Sequence, residues 1–225
     1  MKFWLPGFAA TVFIRLAAPV WANMAVVSPQ FSDLCRANRT ECTRIGTHAK
    51  VSTELIYQVF EAERTRNFDA LASQLEAIKL LTGAEQIQIV NRRLPLSQFF
   101  PVQQSLVFGG YALLGRKITK RGDEIGKAEY TVFVKGVFSE LEDPNDIIAS
   151  IQGIPDRLSA QSNVQLHQGM RNYAQEIFNS PPFQDLLTEI LTFQQQGNIP
   201  IEITLSGHSL GGSCIVLAAL MSDRG

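Results

Sequence analysis

One stretch constrains the fold more than any other: a strand pattern, a glycine-rich turn and a helix pattern follow one another between residues 201 and 221. Residues 201–205 read Ile-Glu-Ile-Thr-Leu, the alternation of a half-buried strand. The turn is Gly207-His208-Ser209-Leu210-Gly211, and residues 211–221 are small and apolar, which predicts a helix. Glycines two positions either side of Ser209 let the strand and the helix approach without Cβ clashes.

A further helix is predicted directly before this strand, over residues 181–196. Ser180 is a good N-cap and Pro181 suits the first helical position, while Gly197 and Pro200 end the pattern. The order helix, strand, tight turn, helix indicates an α/β sandwich with a parallel sheet.

The G-x-S-x-G turn also suggests a chemistry. A serine between a strand and a helix sits in a sharp, strained turn that projects its Oγ from the sheet edge. The N-terminus of the helix then offers backbone N–H groups to an oxyanion. Ser209 is therefore a candidate nucleophile, and the alternative is a glycine-rich turn with an incidental serine.

The C-terminal half, about residues 130–222, resembles the class 3 (fungal-type) lipases of the α/β-hydrolase fold. Residues 203–212 (ITLSGHSLGG) are similar to the nucleophile elbow of that family almost residue for residue. Residues 166–170 (LHQGM) are similar to its V-H-x-G-F segment. Residues 132–137 (VFVKGV) stand where these lipases have a strand ending in F-R-G-T or F-R-G-S.

The resemblance implies roles for individual residues. Ser209 would attack an ester carbonyl and form an acyl-enzyme. The backbone N–H groups of Leu210 and Val137 would form the oxyanion hole. The other elbow residues are Gly207, His208 and Gly211. The chain departs from the family at two positions, because Lys135 replaces the usual Arg and Val137 lacks the usual hydroxyl.

The triad partners are the main departure. In this fold an Asp and then a His follow the serine along the chain, but only Asp223 and no histidine follow Ser209. We expect His208 to support the elbow, His167 to be structural and His48 to lie at the surface. The expected fold is therefore an α/β-hydrolase-like sandwich, incomplete at its C-terminus, whose triad Asp and His are missing from this chain.

Two functions remain open at this point. The first is a serine ester hydrolase acting on lipid or other acyl esters, of which this chain is the N-terminal portion. The second is a catalytically inactive truncated remnant or a lipid-binding module. The chemistry needs no metal and no organic cofactor, and the partners expected are a lipid or small acyl ester and a transient lipid interface. With 20 Lys and Arg against 21 Asp and Glu, nucleic-acid binding is not expected.

Three regions are expected along the chain. Residues 1–22 resemble a signal peptide, with Lys2 before an apolar run and Val20-Trp21-Ala22 as the cleavage pattern, although Arg15 interrupts the apolar character. This predicts a secreted or periplasmic protein, or a cytoplasmic one if translation starts at Met24. A mostly helical region, 23–129, and the hydrolase-like region, 130–225, follow.

Within the mostly helical region, one helix is predicted over residues 52–82, with Ser52 as its cap and Gly83 as its stop. It has two apolar stripes: Leu55, Ile56, Val59 and Phe60, then Phe68, Leu71, Leu75 and Ile78. The charged residues 116–127 predict a solvated loop or the end of a hairpin, and residues 130–134 predict a strand ending at Gly136.

The cysteines leave two alternatives. Cys35 and Cys42 either pair or remain thiols, and Cys214 is expected to be a small buried core residue.

Overall fold

The structure is a computed structural model, and it describes residues 9–16, 36–91, 110–136, 155–157, 165–196 and 199–215. The helices are α1 (Arg39–Lys50), α2 (Ile56–Arg64), α3 (Phe68–Thr82), α4 (Gln168–Phe178), α5 (Pro181–Gln196) and α6 (residues 210–215), with a π-helical turn (Val51–Leu55) between α1 and α2. The strands are β1 (Ala9–Leu16), β2 (Gln86–Asn91), β3 (Tyr111–Arg121), β4 (Glu124–Val134), β5 (Pro155–Arg157), β6 (Gln165–His167) and β7 (Ile201–His208).

Five strands form one mixed sheet in the order β1-β7-β4-β3-β2. Only β4 and β7 run parallel, and the other three pairings are antiparallel. The expectation of a parallel sheet is therefore wrong for most of the sheet. For β3 and β4 the physical reason is the length of their connection, because a two-residue turn can join only antiparallel strands. The β4–β7 connection contains α4 and α5 and is long enough to cross over.

Helices cover both faces of this sheet, which makes the protein a mixed α/β structure. On one face, α4, α5 and α6 pack against alternate residues of the central strands, among them Leu114, Val132 and Leu205. On the other face, α2, α3 and the π-helical turn pack against Leu113 and Phe133. Because successive residues of a strand point to opposite faces, neighbouring residues of β3 and β4 enter different cores.

The single helix predicted over residues 52–82 is wrong. The chain is already helical at Arg39, and it breaks at residues 65–67, where Arg66 has a φ of +55°. Asn67 then caps α3, because its Oδ1 accepts a hydrogen bond from the N–H of Ala70 at 3.1 Å. Ser52 is no cap: it lies inside the π-helical turn, and its Oγ donates to the carbonyl of His48 at 2.8 Å.

The apolar stripes are confirmed in part. The four residues of the first stripe are buried, and Ile78 of the second stripe is completely buried. Phe68 is 72% exposed because it begins α3 at the break, beyond the reach of the sheet. Gly83 ends α3 in the left-handed conformation, with a φ of +71°, as the sequence predicted.

The charged stretch 116–127 forms the end of a hairpin, so the solvated loop is the wrong alternative. β3 continues to Arg121, residues 122–123 form the turn, and β4 begins at Glu124. The predicted strand 130–134 is thus the second half of β4. The boundary expected between residues 129 and 130 falls inside this strand, and β2 and β3 also come from the region that was expected to be mostly helical.

The C-terminal predictions agree well with the structure. The helix Pro181–Gln196 has the predicted bounds, and the predicted strand at 201–205 extends three residues further, to His208. The following helix begins at Leu210 and is described as far as residue 215.

The other edge of β7 is occupied by β1, which pairs with it antiparallel from Ala9 opposite His208 to Leu16 opposite Ile201. This strand lies within the predicted signal peptide, and export therefore stays a prediction. No helix in the described ranges has the length and apolar character needed to cross a membrane.

The cysteine predictions fall partly within the described residues. Cys42 is disulfide-bonded, as the paired alternative requires, and Cys35 lies outside the described residues. Cys214 is a buried thiol, as expected, and its Sγ lies 3.5 Å from the carbonyl oxygen of Met170.

Candidate active site

Ser209 occupies the single residue between the end of β7 and the start of α6. It is exposed, and its φ is +54°, in the left-handed region that costs a residue with a Cβ about 1–2 kcal/mol. Among the described residues only Arg66 shares this conformation without being a glycine. A strained serine in a turn between a strand and a helix has the geometry that the sequence predicts for a nucleophile elbow.

The two glycines of the motif allow the elbow to close. A Cβ on Gly207 would lie 2.5 Å from the carbonyl carbon of Gly211, and a Cβ on Gly211 would overlap the carbonyl oxygen of Val134. Any larger residue would push α6 away from β7 or from the end of β4. The tight turn therefore requires glycine at both positions, because neither position has room for a side chain.

The first turn of α6 follows Ser209 directly. The N–H of Ser213 donates to the carbonyl of Ser209 at 3.1 Å, and Leu210 is buried beneath the turn. The N–H of Leu210 belongs to the start of the helix, where no earlier helical carbonyl is available to it. Within the part of the chain that the structure describes, no side chain forms a hydrogen bond with the hydroxyl of Ser209.

The segment after β4 is held by hydrogen bonds on four successive backbone groups. The N–H of Lys135 donates to the carbonyl of Tyr111 at 3.0 Å, and the Tyr173 hydroxyl donates to the Lys135 carbonyl at 3.1 Å. The N–H of Gly136 donates to the Tyr57 hydroxyl at 3.1 Å, and Lys135 Nζ donates to the Gly136 carbonyl at 2.9 Å. Three of these four bonds use side chains, from Tyr173, Tyr57 and Lys135.

This segment lies against the elbow. A Cβ on Gly136 would stand 3.1 Å from the Cβ of Ser209 and would overlap the carbonyl oxygen of His208. Val137, the predicted second oxyanion donor, is the next residue in the chain and lies outside the described residues. The structure therefore brings together the predicted residues Gly207 to Gly211 and the residue that precedes Val137.

His208 turns toward the helical layer and forms no hydrogen bond with Ser209. Its Nδ1 lies 3.3 Å from the Tyr57 hydroxyl, and the two rings meet edge to face with centroids 6.3 Å apart. His167 forms part of β6, and its side chain is outside the described set. No described histidine is therefore placed as a base for Ser209.

The expectation that His48 lies at the surface is wrong. It is 5% exposed, with its ring edge-on to Phe133, and its carbonyl accepts hydrogen bonds from Ser52 and Ser206. Burial, and then the positive charge of Arg44, lowers the pKa of His48 to about 4. Its Nδ1 has no hydrogen-bond partner among the described residues, so the ring is a neutral core group.

A cavity of about 430 Å³ lies elsewhere, between α1, the end of α3 and the sheet. None of its lining residues belongs to the elbow. Its charged lining groups are in ion pairs: Glu202 is 3.0 Å from Arg44, Glu129 is 3.5 Å from Lys117, and Arg116 is 2.8 Å from Glu189 on α5. No group of three metal-ligating side chains occurs in the described ranges. We therefore place the candidate active site at Ser209 and not at this cavity.

Comparisons of the chain with protein families, with curated proteins and with solved structures found no match. The elbow geometry and the motif resemblance are thus what bear on function.

Sequence reasoning missed two residues that shape this site. Tyr57 comes from a region without any resemblance and lies 151 positions before His208, so no local pattern could have found it. Lys135 stood out only as a replacement for arginine, and its burial could not be read from the strand pattern.

Proposed function

We propose that this protein is a serine ester hydrolase of the α/β-hydrolase type, related to the class 3 lipases, with Ser209 as its nucleophile. The observation that carries the proposal is the exposed Ser209 at a φ of +54° between β7 and α6. Such strain persists only where the surrounding structure holds it, and it is typical of residues that take part in chemistry.

The geometry supports acyl transfer in the following way. Ser209 Oγ adds to the ester carbonyl carbon, and the carbonyl oxygen takes the negative charge. The N–H of Leu210 and the N–H after Gly136 are the proposed donors to that oxyanion. Collapse expels the alcohol, which takes up the proton that Ser209 lost, and leaves an acyl-enzyme. Water then hydrolyses the acyl-enzyme to the free acid and restores the Ser209 hydroxyl. The substrate class is a lipid or another acyl ester, reached in transient contact with a lipid interface.

The reaction requires a base for the Ser209 proton, and no described side chain forms a hydrogen bond with that hydroxyl. This observation favours a second candidate, a non-catalytic module that binds lipid at the same surface. Without its base a serine hydroxyl is a weak nucleophile, although an oxyanion hole and binding alone retain about 10³–10⁴-fold catalysis over water.

A pair of measurements separates the two candidates. The first is hydrolysis of p-nitrophenyl butyrate, with and without added imidazole as an external base, by the full chain and by Ser209→Ala. The second is mass spectrometry after exposure to a p-nitrophenyl alkylphosphonate, which marks a reactive serine even when turnover is slow. Ser213→Ala, one helical turn away, is the matched serine control.

We expect imidazole-enhanced hydrolysis and a phosphonate adduct on Ser209 in the natural chain and in Ser213→Ala, and neither in Ser209→Ala. Equal rates for the natural chain and Ser209→Ala, with no adduct, would overturn the hydrolase and leave the binding module as the function.

Export by residues 1–22 belongs to the same proposal. Cleavage after Ala22 would give an exported protein beginning at Asn23 and lacking β1, which N-terminal sequencing of the secreted or periplasmic fraction tests directly. Finding residues 9–16 (β1) still present in the protein of that fraction would contradict export by cleavage.

A further inference from the structure

The face of α1 that borders the cavity of about 430 Å³ is polar. It carries Thr40, Thr43 and Thr47 at helical spacing, with Arg44 and His48 beside them, and all five residues line the cavity. A helix that packs closely on a sheet normally places apolar residues at this spacing. Because polar side chains gain little from losing water, this face of α1 borders a cavity instead of closing onto the sheet.

The surface of the sheet opposite α1 is polar as well. The apolar core on this face of the sheet ends at Leu113 and Phe133, and Gly115 and Thr131, two positions along each strand, line the cavity. Thr131 is the register partner of the buried Thr204 on β7, which also lines it. A molecule in this cavity therefore meets hydrogen-bonding groups on two sides, which an apolar ligand would leave without partners.

The charges around the cavity are compensated by one another. Arg44 lies 3.0 Å from Glu202, and its Nη1 donates to the hydroxyl of Thr204 at 3.0 Å. Lys117 lies 3.5 Å from Glu129. An ionic ligand would have to give up its water without meeting an uncompensated opposite charge, which is costly. The lining therefore favours a neutral ligand.

Three polar groups at the cavity have no hydrogen bond to the described residues: Nδ1 of His48 and the hydroxyls of Thr47 and Thr131. His48 is 5% exposed, and its pKa of about 4 keeps the ring neutral, with one N–H donor and one acceptor nitrogen. A ligand hydroxyl both donates and accepts, so it suits all three groups whichever nitrogen of His48 carries the proton.

We propose that this cavity is a binding site for a neutral sugar of one or two rings, held by the hydroxyls of Thr47 and Thr131 and by the ring of His48. Its volume of about 430 Å³ lies within the range of about 300–1,000 Å³ that small-molecule sites occupy. A compact, uncharged molecule with several hydroxyls matches a lining of threonines and paired charges. None of the lining residues belongs to the elbow, so the inference holds whether or not Ser209 reacts.

The test titrates the full chain with glucose, maltose and lactose, using calorimetry for the affinity and a proton–nitrogen spectrum of the histidine rings for the place of binding. His48→Phe, which keeps a ring and loses both nitrogens, identifies the signals of His48 among those of the three histidines. We expect at least one of these sugars to bind with a Kd of about 1 mM or lower and to shift the ring nitrogen signals of His48. The signals of His167 and His208 should stay in place.

Two variants then remove single hydroxyls and keep the shape of the side chain. Thr47→Val and Thr131→Val should each raise the Kd of the bound sugar by about 2- to 10-fold, because each loses one hydrogen bond between neutral groups. Thr119→Val, at the exposed end of the same hairpin as Thr131, is the matched control and should keep the natural Kd. Glucose 6-phosphate should bind more weakly than glucose, because its phosphate meets no uncompensated cation.

Several results would overturn the inference. These are an absence of binding by all three sugars, which would leave water as the partner of the open groups, and binding that leaves the His48 signals unmoved. A natural Kd in both folded threonine variants would also refute it, and if Thr47→Val fails to fold, Thr131→Val decides by itself. Tighter binding of glucose 6-phosphate than of glucose would refute the assignment of a neutral ligand.

Discussion

The strain at Ser209 gives a stability prediction that needs no activity. In Ser209→Gly the residue at φ +54° no longer has a Cβ, which relieves about 1–2 kcal/mol. Ser209→Ala keeps the Cβ and the strain, and both variants lose the same hydroxyl. Glycine also gives the unfolded chain more freedom, which costs about 0.4–1 kcal/mol against alanine. Subtracting this cost from the strain relieved, we expect Ser209→Gly to be more stable than Ser209→Ala by about 0.5–1 kcal/mol.

Urea unfolding followed by circular dichroism measures this difference as a shift of the midpoint at constant slope. Ser213, inside the first turns of α6, is the matched control, because there alanine should be more stable than glycine by about 1 kcal/mol. The order of the Gly and Ala variants should therefore reverse between the two serines. If alanine is the more stable residue at both, Ser209 is not strained, and the elbow interpretation loses its main support.

Three further predictions follow from packing and charge. Gly211→Ala should destabilise the protein by about 1–3 kcal/mol in thermal unfolding, since its Cβ would overlap the carbonyl oxygen of Val134. Gly46→Ala, in α1 with open space around it, should instead stabilise the protein by about 0.5–1 kcal/mol. Equal effects of the two substitutions would contradict the close approach of Gly211 to Val134. The pKa of His48 is about 4 in the folded protein against 6.5 in the unfolded chain, so its contribution to the free energy of unfolding is complete above pH 6.5 and is lost as the pH falls to about 4, by at most about 3 kcal/mol. Between these pH values His48→Gln should therefore lose less stability than the natural chain. Parallel curves of unfolding free energy against pH for the two proteins would refute the burial of a neutral ring. In thermal unfolding, Ile78→Ala should lower the free energy of unfolding by about 2–5 kcal/mol and the exposed Phe68→Ala by less than about 0.5 kcal/mol. Similar losses of stability in both variants would contradict the helix break before α3.

Much of the C-terminal half could be predicted from the sequence. The bounds of α5, the strand before the elbow and the turn at Ser209 all depend on signals within a few residues: a proline at the first helical position, an alternation of period two, and two glycines four positions apart. These features restrict the local backbone strongly. The same local logic failed at residues 65–67, because the apolar stripes on either side continue at helical spacing and hid the cap at Asn67.

The surroundings of Ser209 depend on contacts between distant parts of the chain. The fully buried Lys135, the Tyr57 hydroxyl beside His208 and the buried ring of His48 each arise because α1 and α2 pack across the sheet from α4 and α5. Whether a strand is parallel or antiparallel to its neighbours, and whether β1 covers β7, also depends on chain connection and not on composition. The local sequence therefore specified the turn that presents Ser209, because the glycines and the change from strand to helix pattern that define it lie within a few residues. The tertiary packing determined which side chains hold the facing peptide, because burial and hydrogen bonding join residues that are far apart in the chain.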